Sequence, residues 1–323
     1  MPADPAALLE LASRLDGLHP SNLSPWHVRA TFAIAYNKKQ VNQGAWEEWW
    51  VSPKQYKIHF AVAGFDQTRY FTDRGWFATG SHDAAPDSFY ELSNTILGPL
   101  ADPSALSQAT LLRRTVKQGN VTLDCIDRDR GAGPGFDFAG EIPLVREYCF
   151  IGDLPAIRLA DVSGAQMVLN SIVQFQGQYL PEQIDIDTID GNHLSARVQS
   201  IETIKPQNAD FQPPPDATPL TPVVQLAGDV AEARRIAGAQ PEYPEQAKAS
   251  RVQGSVILEV DIGRDGTVEN VKVLKGDLLL QRAAVDAVRT WRFRPWLVDG
   301  QPVGFRTYVN LAFGLSAGRG ALW

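Results

Sequence analysis

Leu8, Leu11, Leu15 and Leu18 recur at a three-to-four spacing, which predicts one amphipathic helix over 5–18 that stops at His19-Pro20. The period then changes to two. Trp26, Val28, Ala30, Phe32, Ile34 and Tyr36 share one face of a long strand, with His27, Arg29 and Thr31 on the other. Tyr56, Ile58, Phe60 and Val62 repeat the pattern. Residues 68–72 and 76–79 flank Asp73-Arg74-Gly75, a hairpin turn. Phe89, Leu92 and Ile96 predict a second helix at 86–98. Strands resume near 110–117, 121–126, 146–151, 156–160, 166–176 and 193–204. About ten antiparallel strands and two helices in roughly 200 residues predict a strongly curved sheet or partial barrel packed on helices.

Residues 205–225 hold six prolines and almost no periodicity, so they read as a semi-rigid linker. The expected organisation is a domain over 1–204, a linker over 205–230 and a second domain over 231–323. In that second domain Val256, Leu258, Val260 and Ile262 alternate with Ile257, Glu259 and Asp261. Arg264-Asp265-Gly266 turns the chain, and 268–274 returns as a strand. Leu280, Ala284, Ala287, Val288 and Trp291 follow helical spacing over 277–291, with Pro295 just beyond. Phe305, Thr307, Val309, Leu311 and Phe313 alternate with Arg306, Tyr308 and Asn310 to form a final strand. The predicted class is α+β, with the order ββαβ at the C-terminal end.

Four stretches of this second unit resemble the TonB C-terminal domain, in register: QPEYPEQAKASRVQG (240–254), DIGRDGTVENVKVL (261–274), AAVDAVRTWRFRP (283–295) and GQPVGFRTYVNLAFGL (300–315). The resemblance implies a periplasmic domain that receives an extended peptide of an outer-membrane transporter, or of another envelope protein, by strand addition. An unpaired strand edge supplies backbone donors and acceptors, and alternate side chains set specificity. The expected peptide-binding edge is Arg306, Tyr308, Val309, Asn310, Leu311 and Phe313, with Gln240, Tyr243 and Pro244 beside it. The same edge paired internally, or with a second copy, would only complete a fold. A TonB protein also needs a membrane anchor and a spacer, whereas 205–225 spans at most roughly 60 Å in polyproline geometry.

The first unit resembles, in layout, the LolA-like half-barrel carriers of lipoproteins and lipids. The likeness lies in the opening helix, W26-x-V-x-A-x-F, GAWEEWWVSPKQYKIHF (44–60), GWFATG (75–80) and NSIVQFQGQYLP (170–181). It implies an apolar surface that shelters an acyl chain or a hydrophobic peptide. The candidates are Trp46, Trp49, Trp50, Tyr56, Phe60, Tyr70 and Trp76; an ordinary core beneath the helices is the other reading. Trp49 and Trp50 point to opposite faces if they share a strand, as do Glu47 and Glu48.

Composition narrows the chemistry. Of 323 residues 44% are hydrophobic and 21% charged, enough for buried cores. The net charge of −7 divides into −10 over 1–230 and +3 over 231–323. With no basic cluster, no nucleic-acid partner is expected. Cys125 and Cys149 lie in two strand-like runs and pair as a disulfide or remain buried thiols. No Cys/His cluster marks a metal site, and the Gly-rich 131–140 lacks the Lys-Ser/Thr and following helix of a phosphate loop. Ser81-His82-Asp83, Asp127-Arg128-Asp129 and Asp185-Ile186-Asp187 make no catalytic or cation-binding constellation. No cofactor and no enzymatic activity are expected. No apolar run is long enough to span a membrane. MPADPAALLE lacks a basic n-region, so a periplasmic protein implies a targeting or anchor segment ahead of the sequence given.

Overall fold

A computed structural model describes residues 1–18, 22–36, 40–81, 86–98, 111–128, 147–162, 165–188, 191–220, 223–226, 231–232, 234–298 and 301–314. They fall into two units, Met1–Leu220 and Thr221–Trp323.

The first unit opens with helix α1 (Pro5–Leu15), started by Pro5 and by the Asp4 carboxylate, which accepts the Ala7 N–H at 2.8 Å. Five strands follow: β1 (Trp26–Tyr36), β2 (Gln40–Ser52), β3 (Gln55–Val62), β4 (Phe65–Thr72) and β5 (Gly75–Gly80). Helix α2 (Asp87–Leu97) interrupts them before β6 (Leu111–Gln118), β7 (Val121–Arg128), β8 (Glu147–Phe150) and β9 (Ile157–Val162). The unit closes with β10 (Ala165–Phe175), β11 (Gln178–Thr188), β12 (His193–Thr203) and β13 (Thr218–Pro219). All thirteen strands form one open sheet in the order β13-β5-β4-β3-β2-β1-β12-β11-β10-β9-β8-β7-β6. Leu8, Leu9 and Ala12 of α1, and Phe89, Leu92 and Ile96 of α2, join one buried cluster with Trp26, Trp46, Phe60, Leu169, Leu180 and Ile184. Burying each large apolar side chain is worth about 1.5–3 kcal/mol, which sets the helices on that face of the sheet.

The Pro-rich stretch is not a free linker. A 3₁₀ turn over Asn208–Phe211 buries Phe211 to 2% exposure. β13 then pairs with β5, and the Leu220 N–H donates to the Trp76 carbonyl at 2.9 Å. Proline is tolerated there because β13 is an edge strand. Residues 205–220 therefore belong to the first unit, and the unit boundary falls after Leu220.

The second unit holds β14 (Val223–Gln225), β15 (Arg235–Ala237), helix α3 (Glu245–Ala249), β16 (Gly254–Ile262) and β17 (Val268–Lys275). Helix α4 (Leu278–Arg289), β18 (Arg292–Phe293), β19 (Trp296–Val298) and β20 (Gln301–Phe313) complete it. The main path across the sheet is β14-β20-β16-β17, and along the chain the longer elements run β16, β17, α4, β20. The Asp277 side chain caps α4 at the Leu279 N–H, 2.8 Å away, and Leu280, Ala284, Ala287 and Val288 face the core. No described helix is long and apolar enough to cross a membrane.

Candidate functional site

The Trp-Arg-Phe stretch after α4 fixes the entry segment of the second unit. Trp291, 1% exposed, donates its indole N–H to the Ala239 carbonyl at 2.9 Å. Thr290 Oγ1 accepts the Ala239 N–H at 2.8 Å, and the Arg235 guanidinium lies 4.3 Å from the Trp291 ring centre. Gly238 has φ +140°, and a Cβ there would sit 2.1 Å from the Trp291 ring, so this close approach needs glycine. Gly266 serves the same end in the β16–β17 turn, where its carbonyl accepts the Phe293 N–H at 2.9 Å. These contacts carry the chain to Gln240–Pro244, beside the last strand.

Tyr243 packs edge-on against Phe313, with ring centres 5.7 Å apart, and its hydroxyl donates to the Val252 carbonyl at 2.5 Å. Gln240 is exposed, and Pro244 starts α3. Leu311 and Phe313 are each 1% exposed and belong to the core, whereas Asn310 is exposed and Tyr308 and Val309 half-buried. The Arg306 guanidinium meets Asp261 on β16 at 2.7 Å. Those expected edge residues therefore divide into side chains that build the core and side chains that face outward.

The two sides of β20 are occupied differently. β16 pairs antiparallel along Phe305–Phe313. β14 pairs parallel with Gly304–Arg306 only, ending where the Leu226 N–H donates to the Arg306 carbonyl at 2.8 Å. A strand residue turns its N–H and C=O to one side, and the next residue turns them to the other. Arg306 faces β14, so Tyr308, Asn310 and Ala312 present their main-chain groups on that side. Val309 and Leu311 face β16. β14 was missed in the sequence; Val223–Leu226 is an apolar run of four with one polar member, short and embedded among prolines.

The first unit separates the seven aromatic candidates. Trp46, Trp50 and Phe60 lie in the helix-covered core, with Tyr56 packed against it. Trp49 is on the opposite face, stacked on His27 at 4.5 Å and under Lys57 Nζ at 4.2 Å. Tyr70 stands on that same outer face, level with Lys57, and Trp76 packs against Tyr56 and Phe71. They do not line one chamber. Two open clefts of about 620 and 560 Å³ meet at Gln43 and Gly44, and their linings mix Phe32, Val62 and Phe65 with Asp66, Asp185 and Arg197.

Glu48 was expected opposite Glu47, and strand alternation separates them. Glu47 meets His27 at 3.1 Å on the outer face, and Glu48 is 1% exposed among the core side chains. Glu48 Oε2 has no hydrogen-bond partner among the described residues, and burial pushes its pKa well above the ordinary carboxylate range. Asp16 is also buried. Desolvation raises its pKa to about 7, opposed by the Ile157 N–H, which donates to Oδ2 at 2.9 Å. Cys125 and Cys149 face each other across β7 and β8 and are joined by a disulfide. Both sulfurs are thereby taken up, although Glu147 lies close by. The Gly-rich 131–140, His82-Asp83 and Asp129 lie outside the described residues.

Residues 239–315 match the family model described as Gram-negative bacterial TonB protein C-terminal. Protein TonB of Xanthomonas campestris pv. campestris is 44% identical over 78 residues, 24% of this chain and 35% of the relative. Protein TonB of Escherichia coli K12 is 37% identical over 82 residues, 25% of this chain and 32% of the relative. The chain thus spans about a third of the length of the curated relatives it matches. The N-terminal unit has a LolA-like neighbour, a LolA superfamily protein from Nitrosomonas europaea; that alignment covers 66% of this chain and 99% of the other, at TM-score 0.42 and 10% identity. The entry segment held by Trp291, the hairpin closed at Gly266 and the strand that ends at Phe313 all fall within the matched stretch: residues 239–315 are a TonB C-terminal domain.

Proposed function

We propose that this chain is a non-enzymatic envelope protein, acting in the periplasm, whose C-terminal unit docks on an extended peptide of an outer-membrane transporter or another envelope partner. The observation that carries this reading is the pairing of β20. Its outward side already accepts one parallel strand at Gly304–Arg306, so its main-chain groups stand in the geometry that strand addition needs. Along Phe305–Phe313 the β16 ladder holds the strand straight behind it. Tyr308 and Asn310 alternate with core residues there, which places their side chains where they can select among peptides. The family match over 239–315 supports the same reading, since TonB relatives belong to envelope transport.

The carrier reading of the first unit has weaker support, because Trp46, Trp50 and Phe60 are packed beneath α1 and α2. Calorimetric titration of the full chain with a transporter-derived extended peptide tests the proposal. Saturable one-to-one binding supports it, and no binding to folded protein removes it.

A further inference from the structure

We infer that β14 is a built-in occupant of the docking edge, and that a partner peptide must displace it. The inference rests on the reading of β20 as the peptide-receiving strand. Three observations lead to it. β14 lies parallel to β20 on the side away from β16, where an added strand would have to sit. Val224 packs partly buried against the core of the second unit, and Leu226 is 6% exposed within it, so the segment presents two apolar side chains at alternate positions. The attachment is short: three paired residues, after which the Leu226 N–H closes on the Arg306 carbonyl.

The flanking sequence limits its growth. Pro222, next in the alternation after Leu226 and Val224, has no N–H to extend the ladder towards the N-terminus. A tethered three-residue strand competes at an effective concentration of roughly millimolar, so it weakens an incoming peptide without excluding it. The same geometry describes the partner. It is an extended segment running parallel to β20, with apolar residues two positions apart and no proline at the positions that donate to Arg306 and its outward-facing successors.

The test uses the full chain and a synthetic peptide of its own residues 221–230, TPVVQLAGDV. Binding is compared between the unaltered protein and Val224→Asp, which disfavours the tethered strand while leaving the receptor strand unchanged. The expected result is binding about tenfold or more tighter in the variant, with amide shifts on Gly304–Phe313 in both. Equal affinity in the two proteins would leave peptide docking standing and overturn the displacement. Failure of the peptide to bind either folded protein would remove the docking reading, and the displacement with it. A second measurement needs no variant. In the unaltered protein, saturating peptide should strip the Leu226 amide of its protection from hydrogen exchange while Val260 on β16 keeps its own. A Leu226 amide that stays protected in the complex overturns the inference.

Discussion

The Arg306 carbonyl accepts the Leu226 N–H at 2.8 Å, and this bond sets the parity of the whole final strand. Counting by twos from Arg306 puts the main-chain groups of Asn310 on the docking side and those of Val309 against β16, where Val309 lies opposite Leu258. Proline should therefore act very differently at adjacent positions. Asn310→Pro removes an outward donor at an exposed edge position, and we expect peptide affinity to fall at least tenfold with little change in thermal midpoint. Val309→Pro removes a donor of the β16 ladder and should destabilise the second unit by about 3 kcal/mol or more. Thermal melts alongside peptide titrations of both variants check this. Reversed effects would mean that the parity is wrong.

Glu48 gives a prediction about stability. Burial holds its carboxyl pKa well above the ordinary value of 4.5 at which the unfolded chain ionises it. The folded pKa is raised, so its contribution is full below about pH 4.5 and is lost as pH rises from there towards the folded pKa. Glu48→Leu removes both this cost and the orphaned oxygen, and should stabilise the first unit by about 2–4 kcal/mol at pH 7. Denaturant unfolding at pH 5 and pH 7 checks it, with the larger gain expected at pH 7.

Asp16 titrates within a narrower window. Burial lifts it from 3.8 to about 7, so the folded state binds its proton more tightly than the unfolded state. Its contribution is full below about pH 3.8 and is lost as pH rises towards 7. Asp16→Asn keeps an oxygen for the Ile157 N–H and cannot ionise. The difference in unfolding free energy between variant and parent should shift in the variant's favour from pH 4 to pH 7. A difference independent of pH would contradict the assigned titration.

The Cys125–Cys149 disulfide spans 24 residues of chain. In the loop-entropy account, a crosslink of that span contributes about 3 kcal/mol by restricting the unfolded chain. Replacing both cysteines with alanine should lower the stability of the first unit by about 2–4 kcal/mol and leave peptide binding by the second unchanged. Unfolding curves with and without reductant, read beside a peptide titration, distinguish the two effects.

Much of this architecture is legible in the chain because the relevant signals are local. The alternation from Trp26 to Tyr36, the turns at Asp73-Arg74-Gly75 and Asp265-Gly266, and the spacing from Leu280 to Val288 place their elements within a few residues. β11 is harder to read. Pro181 breaks its pattern, and the pairing tolerates it next to Ser171, which adopts a positive φ of 52°. Asp185 and Asp187 resemble loop charges until Ile184 and Ile186 are seen facing the core, with His193 reaching Asp187 at 2.9 Å. β13 and β14 are invisible locally, because each is held by a partner far along the chain, Phe77–Ala78 for one and Gly304–Arg306 for the other. The final strand was recognisable, but which of its residues face outward depends on the Leu226 bond. The aromatic cluster was misleading for a related reason: composition gathers the seven candidate rings, Trp46 to Trp76, within 31 residues, and strand alternation then deals them to both faces.

The central claim is that an extended peptide adds to β20. A residue-resolved amide titration of the full, isotopically labelled chain with a transporter-derived extended peptide tests it most directly. Saturable shifts are expected along Gly304–Gly314 and Gln240–Pro244, with the amides of β1 to β13 unmoved. Shifts confined to the first unit, or none in folded protein, would contradict it.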